Sequence, residues 1–326
     1  MQAAVIHRFG GPSVLSVEQV SDPVDRPGSV TVQLIASSLN WHDVLVRRGR
    51  YESPLPHIPG SDGVGIRRDT GEAVIILPSL HWGTSQSAPG PGWEILGDKT
   101  SGTHAELVSV PNDSLFPRPP GYADAEAAAF GLVGVTVFRA LMRRGRLRRK
   151  EWILVLGAGG GVASVAVSMA SALGANAVVT SSSPSKIDSA RARGAVDGVI
   201  HSEDDWVESA RALTPEGRGF DVVLDSVGRW QESISALRPG GRCVVLGSSS
   251  AQTASLDIAP FYFGQFELIG TTMGSPGDMR ELLDFTTTYR LAPPVVDTVF
   301  SLEEISTAHE RLESGMVYGK IVLSCT

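Results

Sequence analysis

The chain has 326 residues, more than one ordinary domain needs and comfortable for two. A net charge of -7 and 6% aromatic residues fit a globular enzyme and argue against nucleic acid or an anionic membrane as partner. No apolar run reaches spanning length, and Met1 to Ile6 leads straight into a charged segment with Gly and Pro. Neither a signal peptide nor a membrane helix is therefore expected, and the expected location is cytoplasmic.

From the start of the chain, Ala3 to Ile6, Leu15 to Val20 and Val30 to Ile35 alternate like strands, separated by Gly/Pro turns. Such an array predicts a partly open β-barrel. A short helical piece follows from Trp41 to Arg48, then Tyr51 and a loop from Pro54 to Pro59. Residues 78–102 are rich in Pro, Gly and Ser, carry Trp82 and Trp93, and read as an irregular lobe; order returns at Ala105 to Pro111. The two cysteines, Cys243 in a strand pattern and Cys325 next to the end, imply no disulfide framework. No cysteine pair has metal-ligand spacing and no two of the seven histidines stand at i, i+4, so no metal is expected.

The stretch Ile153-Leu154-Val155-Leu156-Gly157-Ala158-Gly159-Gly160-Gly161-Val162-Ala163 is the centre of the chain. Its apolar run fits a strand buried on both faces. Val162, Val165, Ala166, Met169, Ala170 and Leu173 then make one apolar face of a helix that Gly174 can end. Glycines between strand and helix let a backbone approach a pyrophosphate, held by the free N–H groups of the helix start at Gly157, Gly160, Gly161 and Val162. Alone, the loop is equally a tight turn of any α/β protein. Strand-like Ala177 to Thr180, Val199-Ile200, Asp221 to Asp225 and Cys243 to Gly247 alternate with helical stretches such as Ser185 to Arg193, which predicts a doubly wound parallel sheet. Where a free ribose 2′-OH wants a carboxylate, the sequence places Thr180, Ser181, Ser182 and Ser183, with Lys186 beyond. Hydroxyls and a cation favour the 2′-phosphate of NADPH over NADH. The alternative is an ordinary exposed lysine on a first helical turn.

Phrases along nearly the whole chain carry a resemblance: Ser38 to Asp43, Ile58 to Gly65, Gly131 to Thr136, the glycine loop, Leu237 to Arg242 and Gly319 to Leu323. In order and content they resemble the medium-chain dehydrogenase/reductase superfamily. The resemblance implies a GroES-like catalytic domain from residues 1–121 and 290–326, a Rossmann domain over 122–289, an active site in the cleft between them, and a homodimer. It also implies cofactor contacts from Asn40, Thr136, Ser226, Val227, Gly247, Ser248 and Lys320. Zinc alcohol dehydrogenases of that superfamily place Cys, His and Cys or Asp where this chain has Asn40, Ser61 and Gly131, and four cysteines in the lobe where this chain has none. The spacing from Asn40 through Asp43 and Gly49 to Tyr51 is similar to that of the metal-free quinone oxidoreductases and enoyl reductases.

Without metal, the easier hydride acceptors are conjugated ones, whose charge spreads to an oxygen that needs only a hydrogen-bond donor. Tyr51 is a candidate donor, or an aromatic packed under its loop; Asn40 is a candidate amide donor, or a helix N-cap. His42 and Asp43 are adjacent on a helix, so their side chains are expected to diverge, with Asp43 structural. Trp41, His57, Trp82, Trp93 and Phe261 are candidates to line a pocket for a flat conjugated carbonyl or quinone, or to be core. Other readings are an enoyl-thioester or biosynthetic-intermediate reductase, with Arg47, Arg48 and Arg50 as a basic rim, and a non-catalytic NADPH-binding protein.

Overall fold

The computed structural model describes residues 1–249 and 252–326 and falls into two compact units. One gathers Met1–Val135, Gly274–Thr287 and Pro293–Thr326; the other gathers Thr136–Met273 and Thr288–Ala292.

The second unit holds a six-stranded, all-parallel sheet. Its spatial order is Ala195–Ile200, Asn176–Ser181, Trp152–Val155, Phe220–Asp225, Leu237–Val245, Glu267–Gly270. Counted along the chain this is 3-2-1-4-5-6, the Rossmann order, with its switch beside the first strand. The apolar runs are central because both faces are covered: Ile153, Leu154, Val178, Val179, Val222 and Val223 are each 0% exposed. Helix Gly161–Leu173 ends at Gly174, whose φ of 81° is the left-handed conformation that suits glycine. The next helix runs Pro184–Ala192, one residue earlier than its pattern suggested.

The first unit is the β-rich one, with a seven-stranded sheet. Strand Ser29–Ser38 lies at its middle, paired to Asp62–Arg67, Leu107–Pro111 and the C-terminal strand Lys320–Ser324, all antiparallel. Gln2–Ile6 and Leu15–Gln19 form a separate antiparallel pair. The register positions the site: Ser38 faces Asp62 on one side and Val322 on the other. Residues near 40, 62 and 320 are thereby brought to one place.

Residues 78–102 are irregular apart from a short ribbon, Ser79–Leu80 with Glu94–Ile95. The lobe is held by its indoles. Trp82 is 1% exposed and meets Trp93 edge-on at 6.2 Å. Trp82 Nε1 donates to Ser85 O and Trp93 Nε1 to Ser79 Oγ, each at 2.8 Å. Among the described residues no helix is long and apolar enough to cross a membrane.

Candidate active site

The first unit buries a cluster of opposite charges. Strand Ser29–Ser38 ends beside Asp62, and helix Trp41–Arg47 begins after Asn40. Lys320 Nζ donates to Leu39 O at 2.7 Å, to Asn40 Oδ1 and to Asp62 Oδ2 at 3.3 Å. Asn40 Nδ2 donates to Asp62 Oδ2 at 2.9 Å, and Leu132 N–H to Asp62 Oδ1 at 2.6 Å. Burial pushes the Asp62 carboxyl up and the Lys320 ammonium down from their ordinary values; each partner opposes the shift of the other.

The roles expected for two residues change accordingly. Asn40 stands at the N-cap position, yet its side chain does not cap the helix, and both ends of its amide are bonded inside the protein. The cap is supplied from within the helix, by Asp43 Oδ2 accepting the Asn40 N–H at 2.6 Å. Lys320, expected at the cofactor, has all three ammonium protons engaged by Leu39, Asn40 and Asp62, so it shapes the site through them.

Beside this cluster, His42 Nδ1 lies 3.1 Å from Ser61 Oγ, and Ser61 Oγ donates to Asp43 Oδ1 at 3.3 Å. The expected divergence of His42 and Asp43 is therefore bridged by a residue from elsewhere in the chain. Burial alone would raise the Asp43 carboxyl; the neighbouring His42 and His104 rings and the Asn40 N–H outweigh it and hold the pKa at about 2. Tyr51 packs edge-on against the His42 ring, centroids 4.7 Å apart. Burial, and then the Asp98 carboxylate, push the Tyr51 phenol above its usual value.

Of the aromatic candidates, Trp41 is 40% exposed at the helix start. His57 is buried and its Nε2 bonds Gly97 O at 2.9 Å, so it pins a loop and offers no surface for a substrate. Trp82 is equally buried in the lobe, Trp93 is half-buried against it, and Phe261 packs on Phe266 in the second unit. These residues are packing for the most part. Of the basic rim, Arg47 drops out: it is 0% exposed, donates to Gly10 O and pairs with Glu313. Arg48, which meets Glu313 too at 3.2 Å, and Arg50 are exposed.

In the second unit the glycine loop sits at the first strand's end. Gly157 has φ 83°, a conformation that side chains rarely adopt. Gly157 N–H donates to Thr180 Oγ1 at 3.1 Å and Ala158 N–H to Thr180 O at 2.7 Å, tying the loop to the neighbouring strand. A Cβ on Gly159 would lie 2.8 Å from Lys186 Nζ, so this lysine lies directly on the loop. A Cβ on Gly160 would meet nothing within 4 Å, and the helix beginning at Gly161 presents its first turn there. Ser181 is buried, Ser182 exposed, and no acidic residue follows the strand before Lys186. Ser226, Val227, Gly247 and Ser248 lie at the ends of the next two strands, where Asp225 Oδ1 fixes the turn by accepting Val227 N–H at 2.7 Å and Gly228 N–H at 2.8 Å. Thr136 is buried, its Oγ1 3.8 Å from Met273 Sδ.

Residues 26–120 match the family described as "Alcohol dehydrogenase GroES-like domain", and residues 161–288 the family described as "Zinc-binding dehydrogenase". A crystal structure titled as an NAD-dependent alcohol dehydrogenase is 34% identical, with a TM-score of 0.93 over 99% of each chain. The chain belongs to the medium-chain dehydrogenase/reductase superfamily. Its relatives in that superfamily include an alcohol dehydrogenase of Geobacillus stearothermophilus, 28% identical over 99% of this chain and 98% of that protein. They also include a quinone oxidoreductase of Mus musculus, 27% identical over 99% and 97%.

A medium-chain dehydrogenase/reductase is an oxidoreductase that works with a nicotinamide cofactor. The residues present fit that group: an open glycine loop, a helix start and a lysine on the loop. Zinc fits poorly. The two clearest ligand positions hold an amide and a hydroxyl, the amide oxygen faces an ammonium, and no His/Cys/Asp/Glu group suited to a metal occurs among the described residues.

Asp62 lies inside the phrase Ile58 to Gly65, which gave it no site role; it is the site residue that sequence reading missed. Its signal was a carboxylate inside an apolar, glycine-rich phrase, but its cationic partner is 258 positions away. Ser61 was noticed only as a lost metal ligand.

Proposed function

We propose that the protein is a zinc-independent, NADPH-dependent reductase of quinones or small conjugated enones. The observation that carries this reading is the Lys320 ammonium bonded to Asn40 and Asp62: a fixed protein cation stands among the residues where a zinc enzyme would gather its metal ligands. A direct ketone reduction would need strong stabilisation of an alkoxide, which a metal supplies and this buried, already paired ammonium does not. A conjugated acceptor makes the smaller demand of one hydrogen bond to a delocalised oxygen.

Bound, the cofactor supplies the hydride. Gly160, Gly161 and Val162 would hold its pyrophosphate, while Gly157, whose own N–H is taken by Thr180, would give the turn that lets the backbone approach. Lys186, with Ser181 and Ser182, would meet a 2′-phosphate, a reading supported by the lack of an acidic residue there and by the lysine's place against Gly159. Tyr51 would donate to the substrate oxygen. Its raised pKa keeps the phenol protonated, and no protein group bonds its hydroxyl among the described residues. A homodimer is inferred from the open edge of strand Glu267–Gly270 and the nearby exposed Ile258, Tyr262 and Phe263.

The test is NADPH oxidation against a panel of quinones, enones, enoyl-CoAs and aldehydes, with and without a chelator. Turnover of enones or quinones that chelation leaves intact is expected. Activity confined to alcohols and simple ketones, and lost on chelation, would overturn the reading.

A further inference from the structure

Residues 51–56, the loop that carries Tyr51, are fixed at both ends and barely held between. Before them Arg50 N–H donates to Leu45 O at 2.9 Å, and after them His57 N–H donates to Ile6 O at 2.9 Å. Among the described residues, 51–56 make no backbone–backbone hydrogen bond, and Pro54 and Pro56 have no N–H to offer. Their one hydrogen bond there comes from a side chain: Ser53 Oγ donates to Asp98 Oδ1 at 3.3 Å. Ser53 and Asp98 are both buried, although Glu52, Pro54 and Leu55 around the serine are exposed. The accepting side is rigid. Gly97 has φ 82°, and a Cβ on it would lie 2.3 Å from Gly60 O, so this part of the lobe is seated on the backbone next to Ser61. Gly102 N–H donates to Ile58 O at 2.7 Å, Thr103 N–H to Gly60 O at 2.9 Å, and Asp98 N–H to Ile95 O at 3.1 Å. His57 Nε2 donates to Gly97 O at 2.9 Å and closes the far end of the loop onto the same post. A segment without backbone hydrogen bonds opens at little cost, so its one buried bond decides how well it is placed.

We propose that Asp98 is the positioning residue of Tyr51: through Ser53 it holds the loop in the place where the Tyr51 ring packs on His42 and serves the substrate. This rests on the reductase reading above. Asp98 itself touches neither substrate nor cofactor. It acts by keeping the phenol in one place, which matters because a donor displaced by about an ångström loses most of its effect on the barrier. The lobe of residues 78–102, which has no cysteine with which to hold a metal, thereby acts on the site through one carboxylate. That carboxylate also stands near enough to add to the effect of burial on the Tyr51 phenol.

Two readouts test it, the first without substrate. In protein carrying ring-labelled tyrosine there are 5 such rings, and the NMR signal of Tyr51 is the one lost in Tyr51→Phe. Ser53→Ala and Asp98→Ala are expected to shift and broaden that signal, while Asp98→Asn, which keeps an oxygen to accept the Ser53 proton, should return it close to the wild-type position. A wild-type signal in Ser53→Ala and Asp98→Ala overturns the anchor, as does an Asp98→Asn protein that matches Asp98→Ala. Second, on the best enone or quinone, Ser53→Ala and Asp98→Ala should lower kcat about ten- to a hundredfold with KM and NADPH affinity within about twofold, and Asp98→Asn should restore kcat to within about threefold of wild type. Wild-type kcat in Ser53→Ala overturns the positioning role while the reductase reading stands. If no conjugated acceptor is turned over, the reductase reading fails, and the ring signal alone decides whether Asp98 holds the loop. Should Asp98→Ala fail to fold, Ser53→Ala decides it.

Discussion

Lys320 Nζ and Asp62 Oδ2 stand 3.3 Å apart with their side chains 4% and 0% exposed, an ion pair formed between the last strand and one from the first third of the chain. Removing one member leaves a buried charge uncompensated, which typically costs about 3–5 kcal/mol. Lys320→Met is expected to destabilise the protein on that scale at neutral pH, and adding Asp62→Asn is expected to recover much of it. Denaturant unfolding of the three proteins checks this; a single variant within about 1 kcal/mol of wild type would mean that the pair is not the structural centre of the site.

The cofactor preference should follow the lysine on the glycine loop. NADPH is expected to bind more tightly than NADH, and Lys186→Ala should narrow the gap by about 1.5 to 3 kcal/mol, roughly ten- to a hundredfold in affinity. Fluorescence titration with both cofactors measures it. Equal affinities in the wild type would refute the assignment; a preference unchanged by Lys186→Ala would remove only the lysine's part.

Tyr51→Phe deletes a donor and keeps the ring that packs on His42. Folding and NADPH affinity should survive, while kcat on a conjugated acceptor should fall by about a hundred- to a thousandfold, the effect of losing one donor to a developing oxyanion. Because burial and Asp98 raise the phenol's pKa, its proton should be retained across the neutral and mildly alkaline range. A variant within a factor of about three of wild type would make Tyr51 a packing residue.

Acid should act first on a pair of buried imidazoles. His309 is 0% exposed with neither ring nitrogen hydrogen-bonded, and meets His104 at 6.2 Å. Burial, then the neighbouring His104 and Arg47, push its pKa to about 3 against Asp43's opposing pull; burial lowers that of His104 too. A folded-state pKa below the unfolded value means that the unfolded chain binds the extra proton. The stability these groups confer is therefore complete above about pH 6.5 and is lost as the pH falls toward 3, on the order of 5 kcal/mol for His309 alone. His309→Leu should flatten the pH dependence of urea unfolding between pH 7.5 and 5. An unchanged slope would sink this account.

What could be read from the sequence was what neighbouring residues dictate. The run Ile153 to Leu156 followed by glycines announced strand, loop and helix because burial on both faces and close backbone approach both leave local marks. Thr180 and Lys186 were read as partners of a 2′-phosphate; that both also lie against the glycine loop was not foreseen. The charged cluster was not legible, because Asp62 and Lys320 meet only through the pairing of Ser38 with Asp62 and Val322. His42 and Asp43 misled for a related reason. Helical geometry does separate adjacent side chains, but a serine from outside the helix reconnects them. Trp82 and His57 looked like a pocket lining since composition alone does not say which aromatic faces inward.

The two hydrogen bonds from Gly157 and Ala158 to Thr180 fasten the glycine loop from behind. A loop already held in shape has little disorder left to lose when a dinucleotide arrives, so its association is preorganised and more of the contact energy appears as affinity. The threonine that does this never needs to touch the ligand.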